Sequence, residues 1–215
     1  MFDDSKLSEP DYIIEIENPV RLSRVDEKDG IFFNDRYTSD RRMRTYVYEL
    51  LKRANAALPA GYNIVVYEGY RSKADQIKVW HQIIEQRKKE YPHMDENSEE
   101  FITMCNLVVA NPYRQGSGHQ SGAAVDISLV NGSGVEYDMG GIVRGFGEEA
   151  PFYSPIISDE ARKNRLILKN AVEGAGLVCY PTEWWHYSFG DRLWARVTGS
   201  KLAIFAKIDE GGQDA

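Results

Sequence analysis

Apolar positions along the chain follow two periods, and each change of period marks an element. Across residues 38–58 they recur at helical spacing, at Met43, Val47, Leu50, Leu51, Ala54 and Leu58. Thr38, Ser39 or Asp40 stand where a cap is needed and Pro59 lies beyond the end, so a helix is predicted there. Residues 62–67 form a β-branched run of strand length that leads into Glu68-Gly69-Tyr70-Arg71. Ser72 then caps a second helix reaching about residue 91, with Ile77, Trp80, Ile83 and Ile84 as its apolar stripe. A third helix is expected over 98–110, burying Phe101, Met104, Cys105 and Val108, and a strand over 123–130. Residues 131–134 turn the chain so that 135–139 can pair back antiparallel. A fourth helix is predicted over 159–175, with Leu166, Leu168, Ala171 and Val172 on its apolar side. Strands are expected at 12–16, 177–180 and 185–189, and a final hairpin or edge pair at 193–197 and 202–208. Residues 1–10 and 209–215 read as frayed tails. Helices and strands do not alternate strictly and hairpin-like pairs outnumber crossovers. The expected fold is a single α+β domain over residues 1–215, a largely antiparallel sheet flanked by helices.

Between the strand at 135–139 and the fourth helix, residues 140–155 are rich in glycine and have no period. A loop of that length inside a domain usually forms a lid or a pocket wall.

An apolar fraction of 42% in 215 residues supplies a packed core. With a net charge of -7 and no long basic block, neither nucleic acid nor an anionic membrane is an expected partner. The short basic groups at 40–44 and 87–89 read as solvated helix faces. The acidic, polar start lacks the features of a secretory signal, and no segment reaches membrane-spanning length, so a cytoplasmic protein is expected. Cys105 and Cys179 stand alone in apolar surroundings and read as reduced core residues. Asn131-Gly132-Ser133 reads as a turn. Nothing in the pattern specifies an oligomer.

Candidate chemistry concentrates in two segments. The first, Ser117 to Asp126, sets His119 and Asp126 where a glycine- and serine-rich loop becomes a strand. The turn at Gln120-Ser121-Gly122 lets the histidine fold back beside the aspartate despite their odd separation. The second is Glu183-Trp184-Trp185-His186, whose tryptophans would exclude water and strengthen charge interactions. Two imidazoles, a ligand carboxylate and a spare carboxylate make the inventory of a catalytic zinc site, which keeps a fourth position for water. On spacing alone, the second pair reads equally as a surface carboxylate and a core imidazole. His81 and His93 have no ligand-type partner nearby and read as ordinary surface or core histidines. Arg71 falls at a strand-to-helix corner, fixed yet reachable.

Ser117-x-His119-x-x-Gly122-x-Ala124-x-Asp126, with Glu183-x-Trp185-His186 downstream, resembles the paired signature of the D-alanyl-D-alanine metallopeptidases. Glu68-Gly69-Tyr70-Arg71 after a strand and Met139-Gly140 after the next extend the likeness over most of the chain, toward the VanX-type dipeptidases. The resemblance implies a Hedgehog/DD-peptidase-like fold and one Zn²⁺ per chain on His119, Asp126 and His186. It implies Glu183 as general base, Arg71 at the oxyanion, Ser117 and Glu68 near the substrate, and a small D-dipeptide as that substrate. Two positions depart from the pattern. Glu68 stands where the family has aspartate, and the aspartate that follows phenylalanine a few residues after Met-Gly, gripping the dipeptide's ammonium, is missing. The stretch instead reads Gly141-Ile142-Val143-Arg144-Gly145-Phe146-Gly147-Glu148-Glu149. Glu148 or Glu149 would have to substitute for that acid, or the preference for a free amino end is altered. A carboxypeptidase trimming longer D-Ala-D-Ala peptides, or a metal-stabilised module without catalysis, are the other readings.

Overall fold

A computed structural model describes residues 13–16 and 19–208. The tails at 1–10 and 209–215, and the first residue of the strand expected at 12–16, lie outside the described residues. In chain order come β1 (Ile14–Glu15), β2 (Leu22–Arg24), β3 (Phe32–Phe33), β4 (Arg42–Arg44), α1 (Thr45–Ala57), β5 (Asn63–Glu68), α2 (Lys73–Glu90) and α3 (Glu99–Asn106). After a 3-10 turn at Gly118–Ser121 follow β6 (Ala124–Val130), α4 (Asp159–Gly174), β7 (Val178–Tyr180), β8 (Glu183–Ser188), α5 (Arg192–Thr198) and β9 (Leu202–Ala203).

The central sheet has the order β3-β5-β6-β8-β7 and is antiparallel except for the edge pair β3–β5, so the fold is the expected α+β class. Every residue of β6, its middle strand, is buried. Val47, Leu50, Leu51 and Ala54 of α1 and Leu168 and Val172 of α4 close the core above it. A separate cluster of Trp80, Phe101 and Cys105 holds α2 to α3. Both cysteines are free and buried. No helix among the described residues is long and apolar enough to cross a membrane.

Several local expectations give way to tertiary pairing. The helix expected from residue 38 begins only at Thr45, because Arg42–Arg44 pairs antiparallel with Leu22–Arg24. Asp40 is no cap: its carboxylate accepts from the Arg42 backbone and guanidinium. The strand expected at 193–197 is the helix α5, capped by Asp191, whose Oδ1 accepts from Trp194 N at 2.8 Å, and closed by Gly199. Residues 135–139 make one bridge, Val130 to Glu136, instead of a strand. Of 202–208 only Leu202–Ala203 is a strand, running parallel to β1. Leu166 faces outward, 44% exposed.

The place Leu166 was expected to fill belongs to Arg165, which is fully buried. Its guanidinium donates to the carbonyls of Met139, Glu149, Pro151 and Phe152 and lies 5.2 Å from the Trp184 ring centre. One side chain thus ties both ends of the aperiodic loop to α4. Burial lowers its pKa to about 10, so it stays charged at neutral pH. Arg165→Met leaves the carbonyls of the buried residues Met139 and Phe152 without this donor, each worth about 1–3 kcal/mol. The expected result is a loss of about 3 kcal/mol or more, read as a lower denaturant midpoint at constant slope.

Candidate metal centre

Three adjacent strands carry the site. Asp126 on β6 pairs directly with His186 on β8, and Glu68 on β5 lies opposite Asp126 on the other side. The β5–β6 register shifts between Val66 and Glu68, so the extra residue, Tyr67, moves Glu68 into that row. His119 enters from the 3-10 turn before β6, not from the strand, which removes the parity objection to its meeting Asp126. Ser117 caps this turn: its hydroxyl accepts from His119 N, and its own N–H donates to Gln120 Oε1. Gly122 ends the turn with φ of 69°, in the left-handed region.

The donor atoms of His119, Asp126 and His186 all lie within 4.8 Å of one another. Asp126 Oδ1 is 3.3 Å from His119 Nε2 and 3.1 Å from His186 Nδ1. Ligands about 2.0–2.1 Å from a tetrahedral ion would be spaced by about 3.3 Å. The other ring nitrogen of His119 donates to the Gly69 carbonyl at 2.8 Å, which leaves Nε2 with its lone pair toward the cluster. Gly69 has no room for a side chain: a Cβ would meet the Arg42 carbonyl oxygen at 2.5 Å. Burial works to raise the Asp126 carboxyl, but His119 and His186 outweigh it and hold it well below the usual carboxylate range.

Glu183 and His186 are three apart, yet both line one cleft of about 780 Å³ with His119 and Asp126. A break in the β7–β8 register between Cys179 and Tyr180 lets β8 deliver both to that side. Trp185 is buried in the cleft wall, its ring edge-on to Phe146 at 5.6 Å. No hydrogen bond or ion pair to a described residue engages the Glu183 carboxylate, although its backbone pairs with Tyr180. Its pKa is raised by burial, with Asp126 pushing the same way and His186, His119 and Arg144 opposing.

Arg71 also lines the cleft. Its Nε donates to Glu68 Oε1 at 3.0 Å, Nη2 pairs with Glu68 Oε2, and Nη1 donates to Gln76 Oε1 at 2.8 Å. Glu68 therefore faces the arginine, not open cleft. Burial lowers the Arg71 pKa, with Asp126 and Glu183 opposing. Ser117 is in the cleft wall, while Glu148 and Glu149 are not. Glu148 is exposed, and the Glu149 side chain folds back over Gly141 and Gly147 of its own loop. From that loop the cleft receives Arg144 instead. Sequence reasoning passed over this residue, although it is the lone arginine in the stretch where an acid was sought.

Residues 34–202 match the Peptidase_M15 family model, described as D-ala-D-ala dipeptidase. A D-alanyl-D-alanine dipeptidase of Synechocystis sp. is 31% identical over 195 residues, which cover 78% of this chain and 79% of that protein. A D-alanyl-D-alanine dipeptidase of Enterococcus faecium is 27% identical over 165 residues, 73% and 78% of the two chains. The one from Escherichia coli is 27% identical over 138 residues, 64% and 61% of the two. Among solved structures, VanYB in complex with D-alanine-D-alanine aligns over 86% of each chain at 17% identity with a TM-score of 0.49. A match over most of the chain, with a relative above 30% identity, places this protein in the M15 family of D-alanyl-D-alanine dipeptidases.

Proposed function

We propose that the chain hydrolyses D-Ala-D-Ala, or a similar D-configured dipeptide, using one Zn²⁺ held by His119, Asp126 and His186. The observation that carries this reading is the convergence of three donor atoms within 4.8 Å beside the unpaired Glu183 carboxylate. Zinc bound there would bring the pKa of a water toward roughly 7 and polarise a carbonyl. Glu183 would take a proton from the attacking water and pass it to the leaving nitrogen. Arg71 points a cation at the oxygen on which negative charge develops, already aligned by Glu68 and Gln76. Ser117, in the wall beside His119, offers polar groups to the substrate.

The test is release of free D-alanine by the purified, zinc-loaded chain from D-Ala-D-Ala and from N-acetyl-D-Ala-D-Ala, with L-Ala-L-Ala as control. Cleavage of a D,D peptide and not the L,L control is expected. Silence on every peptide would mean a metal-stabilised module without catalysis.

A further inference from the structure

We infer that Arg144 reads the amino-side end of the substrate and selects one carrying no positive charge, an N-acylated D-dipeptide unit. This rests on the hydrolytic reading above and moves its substrate from the free dipeptide to one acylated at the amino end.

Arg144 is held where it stands. Its Nε donates to Asp126 Oδ2 at 3.1 Å, and its Nη2 pairs with Glu68 Oε2, which Arg71 also engages. The guanidinium carbon lies 4.7 Å from the Tyr37 ring centre, and the Tyr37 hydroxyl donates to the Val143 carbonyl at 2.6 Å. Its backbone has φ of 60°, the one non-glycine residue in the left-handed region among the described residues. Such a conformation persists only where the surroundings enforce it. The Arg144 side chain is 16% exposed against 9% for Arg71, so it is the more open of the two cations beside the metal cluster. Its Nη1 has no partner among the described residues, which leaves N–H donors for a ligand.

The carboxylates of the cleft offer an ammonium no comparable place. Asp126 belongs to the donor cluster and to Arg144, and Glu183 to the proton transfer. Glu15 is 3.5 Å from Arg192. Asp191 Oδ2 has no partner, but it is sealed from solvent, and a Cβ on Gly118 would come within 2.2 Å of it. A free ammonium would thus meet an arginine at the mouth of the metal cluster, and like charges brought together cost several kcal/mol. An amide carbonyl at the same point accepts a charge-assisted hydrogen bond. A cleft of about 780 Å³ also exceeds what a bare dipeptide fills.

The experiment compares N-acetyl-D-Ala-D-Ala with D-Ala-D-Ala on the zinc-loaded chain in two readouts. One is kcat/KM, and the other is the calorimetric affinity for the phosphinate mimic of each. Wild type is expected to favour the acetylated form by about tenfold or more in both. Arg144→Asn, at a backbone angle asparagine tolerates, should erase the preference, and Arg144→Asp should reverse it by about 100-fold. An acylated tripeptide ending in D-Ala-D-Ala tells a small acyl group from the remainder of a longer chain; preference for either sustains the inference. A wild-type preference for the free dipeptide overturns it. So do variants that lower both substrates equally, as a purely structural role would. If no peptide is cleaved the hydrolytic reading fails, and the mimics still judge Arg144: equal affinities, or none, end the proposal.

Discussion

Glu183→Gln lowers kcat on a D,D substrate by about 10²–10⁴-fold while zinc stays bound at the wild-type stoichiometry. The substitution keeps the shape and removes only the proton acceptor, and Glu183 is not among the clustered donor atoms. Metal analysis beside steady-state kinetics checks both halves; near-wild-type turnover would remove Glu183 from the mechanism. The raised pKa adds a second readout. The folded chain binds this proton more tightly than the unfolded chain. The resulting stability is fully present below the ordinary glutamate value of about 4.3 and is lost as pH rises through the folded-state value. In metal-free protein at neutral pH, the buried carboxylate therefore opposes folding. Metal-free Glu183→Gln should melt above wild type at pH 7, with the difference closing toward pH 4. A constant difference across that range would trace the effect to packing instead of charge.

His186→Ala abolishes measurable hydrolysis and the thermal response to zinc together. Wild type at free zinc 100-fold above Kd gains about 2.7 kcal/mol. At about 2–4 °C per kcal/mol for a chain of this size, Tm should rise by roughly 5–10 °C. The variant keeps only His119 and Asp126 of the cluster, so its melting curve should not move with zinc. A retained shift would mean that the ion sits on other ligands. Chelation of the wild type should reproduce the variant's inactivity, and added zinc should reverse it in the wild type alone.

Three of the capped helices could be read directly from residues, where Ser72, Ser98 and Ser158 each accept from the N–H three positions on; α5, though capped by Asp191, is short enough to read as a strand. Local chemistry suffices for those three because donor and acceptor are close in the chain. Where pairing is long-range it does not. Met43 has helical spacing with Val47 and Leu50, but its backbone is claimed by Ser23 across a strand pair. Arg165 sits among apolar positions of α4, and only the folded loop explains a cation there. The same division holds in the site. His119, Asp126, Glu183 and His186 could be named from spacing and motif. The row of Glu68, Asp126 and His186 depends on register shifts that no single strand announces. Arg144 is placed by a loop without period, so an acid was sought in Glu148 and Glu149, which stay outside the cleft.

The parallel contact between Ile14–Glu15 and Leu202–Ala203 joins points separated by nearly the whole polypeptide. Glu15 belongs to the cleft wall, and so do Phe205 and Lys207, so that wall is assembled from both extremities. Entropy opposes closing so long a span, and such contacts form late. Loss of that two-residue pairing would therefore loosen the cleft on this side while the central sheet, which shares no strand with it, stays whole.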